Sequence, residues 1–254
     1  MKLRWLVILC VALSQHACNG SEAARGITVA VAANFYETAS DLTEAFTQRY
    51  GVDVTLVSGS SGKLFAQITN GAPFDVFLSA DEMRANKLEA SGHALQGSGF
   101  VYALGRLTLW SSDPQLIENN GKAVLRSAKF KHIALANPAL APYGHAAREV
   151  LQSLGLLQTL EKQIVTAENV AQVFAMVATG NAELGFLSRA AIVSSTGRAS
   201  GSRWDVPASL HGPIRQRAVL LLHGAANDGA RDFCEFLQSP VALNIIRQAG
   251  YDTE

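Results

Sequence analysis

Hydrophobic and polar positions along the chain follow two alternating patterns from residue 26 onward. The run GITVAVAAN (26–34) is short, apolar and rich in β-branched residues, which predicts a strand. The next stretch carries apolar residues three or four positions apart from Phe35 to Tyr50, which predicts one buried face of a helix. Gly51 follows directly and is a typical residue just past a helix end.

The same alternation continues along the rest of the chain. The first half continues with VDVTLVS, GKLFAQITNG, FDVFLSA and DEMRANKLEASG, alternately strand-like and helix-like. The second half repeats the pattern with KHIALANP, YGHAAREVLQSLG, KQIVTAEN, VAQVFAMVATGNA and AELGFLS. Strands that alternate with helices favour an α/β fold with mainly parallel sheets and right-handed crossovers.

Two strand-like stretches connect these halves. FVYALGRLTLWSS predicts one long strand or two abutting strands near residues 100–110, and RQRAVLLLHGA predicts a returning strand near 216–223. We therefore predict two lobes joined by two hinge strands, the first lobe formed by residues 25–105 with 216–254 and the second by 106–215. A ligand would bind in the cleft, where strands end and helices begin.

The N-terminal segment predicts export. Residues 1–24 place Lys2 and Arg4 before a short apolar run and then small residues, which is the layout of a secretory signal peptide. The alternative is a lipoprotein anchored through Cys18, although Gln15 and His16 are unusual before a lipidated cysteine. Both interpretations place the mature protein in the periplasm.

Charge and cysteine content exclude several classes of function. The chain has 21 Lys and Arg against 21 Asp and Glu, with no block of like charge, which argues against nucleic acid or an anionic membrane surface as a partner. Cys234 is the only cysteine beyond residue 18, and its helical context predicts a buried apolar role. No Cys and His spacing suggests a zinc site, so we expect neither protein-bound metal nor cofactor.

Four predicted strand-to-helix junctions share a chemical character. They are Ala32–Asn34, Gly59–Gly62, Pro142–Gly144 before a helix at His145, and Glu168–Val170. Each would offer free backbone N–H groups at the positive end of a helix dipole, which together suit an anion. Each residue taken singly has another interpretation. Asn34 and Ser61 would be ordinary helix caps, Tyr143 would be a packed aromatic residue of a loop, and Val170 would be a core residue.

Cations are scarce at these junctions. Lys63 adjoins the second junction, and its helical position predicts a side chain that points to solvent. A site of neutral donors would hold a fully ionised anion through many hydrogen bonds and disfavour an anion that carries a proton. Selection among fully ionised anions would then depend on the size of the cavity.

At these residues the chain resembles the periplasmic molybdate-binding proteins, the substrate-binding subunits of molybdate ABC transporters. The resemblance runs from about residue 26 to the C-terminus and is carried by ITVAVAANF, GVDVTLVSGSSGKLFAQITNGAPFDVFLSAD, ALANPALAPYGHAAREVLQSLG, AENVAQVFAMVATGNAELGF and FCEFLQSPVALNIIRQAGY. It implies the type II periplasmic binding protein fold, each lobe having a mixed, mainly parallel sheet flanked by helices. It also implies a monomer that delivers molybdate or tungstate to a membrane permease with its cytoplasmic ATPase.

The resemblance assigns oxyanion contacts to Asn34, Ser61, Tyr143 and Val170. Molybdenum would be bound only as the oxyanion, with no direct protein ligand to the metal. One position departs from the family pattern, because Ser188 stands where many members have a tyrosine that donates to the ligand. Tyr143 would then supply the missing hydroxyl from another junction.

Two alternatives remain open from the sequence. A receptor for sulfate or another tetrahedral anion would use the same set of neutral donors. A phosphate receptor would also need an acceptor for the phosphate proton, and Asp75 and Asp81 are the nearest carboxylates. The other alternative is an enzyme in which Ser61 is a nucleophile and His145 the nearby histidine. Against it, Lys63 occupies the position of the second glycine of a G-x-S-x-G motif.

Overall fold

The computed structural model describes residues 26–118, 120–193 and 200–254. The predicted signal peptide and Cys18 lie outside these ranges. No helix within them is both long and apolar enough to cross a membrane.

The first lobe is built on a mixed five-stranded sheet of order β2-β1-β3-β10-β4. Its strands are β1 (Ile27–Ala32), β2 (Val54–Gly59), β3 (Val76–Ser79), β4 (Phe100–Gly105) and β10 (Ile214–Leu220). The strands β1, β2 and β3 are parallel, and β10 runs antiparallel to both β3 and β4.

Helices cover both faces of this sheet. They are α1 (Tyr36–Tyr50), α2 (Ser61–Thr69), α3 (Glu82–Ala90), α9 (Asp228–Phe236) and α10 (Pro240–Gln248). Alternate residues of β1 point to opposite faces, so that Val29 packs with α1, α9 and α10 whereas Ala30 packs with α2 and α3. The C-terminal helices therefore complete the core of the lobe in which the described chain begins.

The second lobe repeats this plan with the order β7-β6-β8-β5-β9. Its strands are β5 (Leu107–Ser111), β6 (Ile133–Ala136), β7 (Ile164–Ala167), β8 (Leu184–Ser188) and β9 (Ser202–Asp205). The helices are α4 (Gly121–Ser127), α5 (Pro142–Ser153), α6 (Leu157–Leu160), α7 (Val170–Ala178) and α8 (Arg189–Val193). Strand β6 is parallel to β7 and β8, whereas β5 is antiparallel to β8 and β9. Two mixed sheets flanked by helices confirm the predicted fold class.

The connections between the lobes are short. Strands β4 and β5 are separated only by Arg106, which confirms that the stretch near residue 105 is two abutting strands. The return path leads into β10, which begins at Ile214, two residues before the lobe boundary that the sequence suggested. Helix α8 also reaches across, because Ala190 packs in the core of the first lobe. The lobe boundaries themselves stay a prediction.

Candidate anion-binding site

Four helix N-termini surround one small pocket between the lobes. The empty volume of this pocket is about 200 Å³, which includes space open to solvent. The lining residues are Ala32, Ala33, Asn34, Ser60, Ser61, Ala80, Ala141, Pro142, Tyr143, Asn169 and Val170. The structure therefore brings together Asn34, Ser61, Tyr143 and Val170, although they are spread over more than half of the chain.

Asn34 lies in a single 3-10 turn, Ala33–Phe35, that leads into α1. An isolated asparagine at this position would suggest a helix cap, but the Asn34 side chain does not cap α1. Instead, Asn34 Nδ2 donates to Gln216 Oε1 at 2.7 Å and contacts the Tyr251 hydroxyl at 3.2 Å. The side-chain donor is thus engaged within the first lobe, and the backbone N–H groups of this first turn are the ones without an intrahelical acceptor.

Ser61 is the first residue of α2 and is almost fully buried. Its Oγ accepts a hydrogen bond of 3.0 Å from the backbone N–H of Ala80, so the hydroxyl proton stays available to a ligand. The capping role falls to the preceding residue, because Ser60 Oγ accepts from the backbone N–H of Lys63 at 3.4 Å. The two serines of this junction therefore have separate roles, and Ser61 is not the cap.

Tyr143 lies inside the first turn of α5, because this helix begins at Pro142 rather than at His145 as predicted. The side chain is buried, and burial raises the pKa of its hydroxyl well above the ordinary value. The hydroxyl lies beside the Asn34 side chain but not in hydrogen-bonding geometry, and it has no other partner among the described residues. A buried hydroxyl without a partner is costly, and an anion oxygen in the pocket would satisfy it.

The Tyr143 hydroxyl also packs tightly against the connection between the lobes. A Cβ atom added to Gly105 would lie 2.3 Å from Tyr143 Oη, so a larger residue at the end of β4 would require the Tyr143 side chain to shift. This contact places a side chain of the second lobe directly against the strand that leaves the first lobe.

Val170 is the first residue of α7, and its side chain packs in the core of the second lobe. Asn169 caps this helix by accepting a hydrogen bond from the backbone N–H of Gln172 at 3.1 Å. The backbone N–H of Val170 lies in the first turn of α7, where N–H groups have no acceptor within the helix, so it is one of the free donors at this end. The apolar side chain and the polar backbone of Val170 thus have different roles.

No acidic or basic side chain lines the pocket within the described chain. Asp75 accepts from the backbone N–H of Thr28 at 2.7 Å, and Asp81 caps α3 through the backbone N–H of Arg84 at 2.8 Å. Lys63 is half-exposed and pairs with Glu168 at 3.1 Å, at the rim. The pocket is therefore made of neutral donors, and neither carboxylate is placed to accept a proton from a ligand.

Ser188, the position that departs from the family pattern, is not among the pocket residues. Its Oγ accepts from the backbone N–H of Ala191 at 3.3 Å and so caps α8. Sequence reasoning missed Gln216 and Tyr251, which hold the Asn34 side chain. Neither lies near a strand-to-helix junction, so no local signal marks them.

The remaining candidates do not line the pocket. His145 is exposed and pairs with Glu149 at 3.5 Å, in a larger groove that is lined by both lobes and adjoins the pocket at Ala80 and Pro142. Cys234 is buried in α9, and burial raises the pKa of its thiol to about 12. In the part of the chain that the structure describes, no three His, Cys, Asp or Glu residues are grouped so as to hold a metal ion.

The model of the family described as bacterial extracellular solute-binding protein matches residues 27–252. Two molybdate-binding ModA proteins are close in sequence. That of Rhodobacter capsulatus is 47% identical over 232 residues, covering 91% of this chain and 90% of the relative. That of Azotobacter vinelandii is 43% identical over 225 residues, covering 89% of each. The chain belongs to this family of solute-binding proteins.

Two solved structures have the same fold. The Azotobacter vinelandii periplasmic molybdate-binding protein superposes with a TM-score of 0.86 and 43% identity, over 90% of this chain and 99% of that one. The sulfate-binding protein SubI of Mycobacterium tuberculosis superposes with a TM-score of 0.74 at 13% identity, over 89% of this chain and 86% of that one. The second likeness extends to the fold alone.

Proposed function

We propose that this family member binds molybdate or tungstate in the pocket between its lobes and delivers the anion to the permease of an ABC transporter. The pocket itself carries the proposal. Backbone N–H groups from four helix N-termini and the hydroxyls of Ser61 and Tyr143 converge on a small space that has no charged side chain. The names of the two relatives at 43–47% identity support molybdate as the ligand.

The donor set explains how a dianion would be held without a cation. Each helix terminus contributes partial positive charge, and small pocket residues such as Ala33 and Ala141 let an anion approach the backbone closely. A protonated anion would be disfavoured because no carboxylate lines the pocket in the described part of the chain to accept its proton. The ligand would be cargo rather than a cofactor, and the oxyanion would contact the protein only through its oxygens.

The location of the pocket explains how binding would be communicated. Asn34 and Ser61 belong to the first lobe, and Tyr143 and Val170 belong to the second. A ligand that bonds to both lobes favours the arrangement in which they are close, which shifts the population toward a closed form. We propose that a permease with its cytoplasmic ATPase recognises this closed form, and that the protein acts in the periplasm as a monomer.

Catalysis by Ser61 has less support. A nucleophilic serine needs a base within hydrogen-bond reach to take its proton, yet the partner of the Ser61 hydroxyl among the described residues is the backbone N–H of Ala80, which is a donor and not a base. His145, the histidine considered for that role, does not line the pocket and contacts Glu149 in the adjoining groove. We therefore propose a binding role without a chemical step.

The test is a thermal unfolding series on the exported chain, purified and stripped of bound anion. Molybdate, tungstate, sulfate and phosphate are added separately, each over a range of concentrations. A ligand present at 100 times its dissociation constant stabilises the folded state by about 2.7 kcal/mol, which is readily measured as a higher Tm. We expect molybdate and tungstate to raise the Tm and phosphate to have no effect.

The outcome for sulfate separates the two receptor assignments. A larger shift with sulfate than with molybdate would make the protein a sulfate receptor of the same fold. An unchanged Tm with every anion would reject an anion-binding role for the four helix N-termini.

A further inference from the structure

The two lobes contact each other through backbone atoms directly beside the pocket. The backbone N–H of Gly62, the second residue of α2, donates a hydrogen bond of 2.8 Å to the carbonyl oxygen of Leu140 in the second lobe. Gly62 follows the pocket residue Ser61, and Leu140 precedes the pocket residue Ala141. The separation of the lobes at this contact therefore fixes the width of the pocket.

The contact leaves no room for a side chain. A Cβ atom added to Gly62 would lie 2.9 Å from Leu140 Cα, 3.0 Å from its carbonyl oxygen and 3.1 Å from its Cδ2. Two of these three atoms are backbone, so a change of side-chain rotamer at Leu140 would not relieve the overlap. The backbone conformation of Gly62 is helical, so glycine is not needed there for a positive φ angle. The requirement for glycine arises from the other lobe.

Two side-chain contacts cross the cleft near the same point. Lys63 Nζ lies 3.1 Å from Glu168 Oε1, and Arg84 Nη2 donates to the carbonyl oxygen of Ala139 at 2.7 Å. Both involve long side chains that adapt to small changes in lobe separation. The backbone contact between Gly62 and Leu140 does not adapt in this way.

We propose that Gly62 and Leu140 form a stop that sets how closely the lobes approach and thereby selects the size of the anion. With glycine at residue 62, the lobes come close enough for donors of both lobes to bond to a large tetrahedral dianion at the same time. A smaller anion would leave one side with long hydrogen bonds, because the stop prevents further closure. This inference rests on the proposed anion-binding function and extends it to a residue that need not touch the ligand.

The test compares Gly62→Ala with the wild-type chain, using calorimetric titration with molybdate and with chromate, a smaller tetrahedral dianion, at a pH at which both are fully ionised. In the variant, the added methyl group holds the lobes apart. We expect molybdate affinity to fall by about 10- to 100-fold, the equivalent of one lost hydrogen bond to a charged group. Chromate affinity should fall by a larger factor, because wider lobes penalise the smaller anion more.

Two further measurements distinguish this effect from damage to the fold. Alanine is a better helix former than glycine, so the Tm of the unliganded variant should equal or exceed that of the wild type. Small-angle X-ray scattering should show less compaction on addition of molybdate than in the wild type. Gly212→Ala is the matched control, since a Cβ there meets only Glu149 Oε2 at 3.6 Å and Oε1 at 3.8 Å, which are ordinary contacts.

Any of four results for Gly62→Ala would contradict this proposal. The first two concern binding: an unchanged affinity for molybdate, or an equal loss of affinity for molybdate and chromate. The other two are a full compaction of the protein on addition of molybdate and a lower Tm of the unliganded variant. If the wild-type chain binds neither anion, the anion-binding function itself fails. That result is distinct from all of these.

Discussion

The hydroxyl of Tyr251 donates a hydrogen bond of 2.6 Å to the backbone carbonyl oxygen of Asn34, although 217 positions separate the two residues. The same hydroxyl lies 3.2 Å from Asn34 Nδ2, and Tyr251 is buried whereas Asn34 is partly buried. The Phe35 ring packs against Tyr251 and Tyr102 with centroid distances of 5.2 and 4.7 Å. A residue near the C-terminus thus fixes the turn that begins the first helix beside the pocket.

Tyr251→Phe should lower both stability and anion affinity. The substitution keeps the packed ring but leaves the Asn34 carbonyl oxygen without its donor, which costs about 1–3 kcal/mol of unfolding free energy. The first turn of the pocket would also be held less firmly, so molybdate should bind more weakly. Urea unfolding and calorimetric titration measure the two effects.

Tyr50→Phe is the matched control for this substitution. Tyr50 is exposed at the C-terminal end of α1, where its ring stacks on the buried Phe46. Its change should leave both quantities nearly unaltered. Equal effects of the two substitutions would show that the contact between Tyr251 and Asn34 has no special role.

Ser61→Ala should weaken molybdate binding by about 1.5–3 kcal/mol, the range for a hydrogen bond to a charged group. The Ser61 hydroxyl accepts from Ala80 and keeps its own proton for the ligand. Dissociation constants from calorimetric titration measure the loss. An unchanged affinity would remove Ser61 from the site.

Ser239→Ala provides the comparison for Ser61→Ala. Ser239 Oγ caps α10 by accepting from the backbone N–H of Ala242, far from the pocket. Loss of a helix cap costs about 0.5–2 kcal/mol of stability, so this variant should unfold more easily while its affinity is preserved.

Tyr143→Phe should separate affinity from stability. The hydroxyl has no hydrogen-bond partner among the described residues, so its removal breaks no bond within the unliganded protein. Unfolding free energy without ligand should therefore stay the same or rise, since an unpaired buried polar group is lost. Molybdate affinity should fall, because the hydroxyl is a proposed donor to the anion. A variant that is destabilised yet binds normally would contradict both expectations.

Alkaline solution should destabilise the fold through three buried tyrosines. Burial raises the pKa values of Tyr102, Tyr143 and Tyr251 above the value of about 10 for an unfolded chain. Below that pH both states keep these protons, so stability does not depend on them. Above it the unfolded state loses protons first, and each tyrosine lowers the unfolding free energy by up to about 1.4 kcal/mol per pH unit.

Urea unfolding at a series of pH values on either side of the ordinary tyrosine pKa measures this dependence. Tyr251→Phe should show a shallower fall, because one of the three groups no longer titrates. A stability that stays constant well above that pH would mean that these hydroxyls ionise as readily in the folded protein as in the unfolded one.

The sequence predicts the fold better than it predicts the details of the site. Hydrophobic periodicity is a local signal, and it predicted most of the strands and helices in their order. It did not predict α4 or β9, and it left open whether one strand or two lie on either side of Arg106. The family resemblance is confirmed by relatives at 43–47% identity. The contacts of Asn34, Ser61, Tyr143 and Val170 with an anion stay predictions, although these residues lie around one pocket.

What the sequence did not predict depends on contacts between distant segments. Asn34 suggested a helix cap, but its amide bonds to Gln216, 182 positions away. Lys63 was expected to point only to solvent, yet it pairs with Glu168 of the other lobe. Gly62 was predicted only as a residue of a strand-to-helix junction, whereas the backbone of Leu140 leaves no room for a side chain there. Each outcome is decided by tertiary structure, which periodicity does not encode.

The position of β10 between β3 and β4 has a consequence for the order of folding. Among the described strands β4 pairs only with β10, apart from a single bridge between Leu104 and Asp252, so the first lobe cannot be completed until residues 214–220 have been synthesised. All strands of the second sheet lie between residues 107 and 205, so that sheet can assemble earlier. Because synthesis begins at the N-terminus, the first lobe is begun first but completed last. Until β10 has been synthesised, β4 remains an unpaired edge strand.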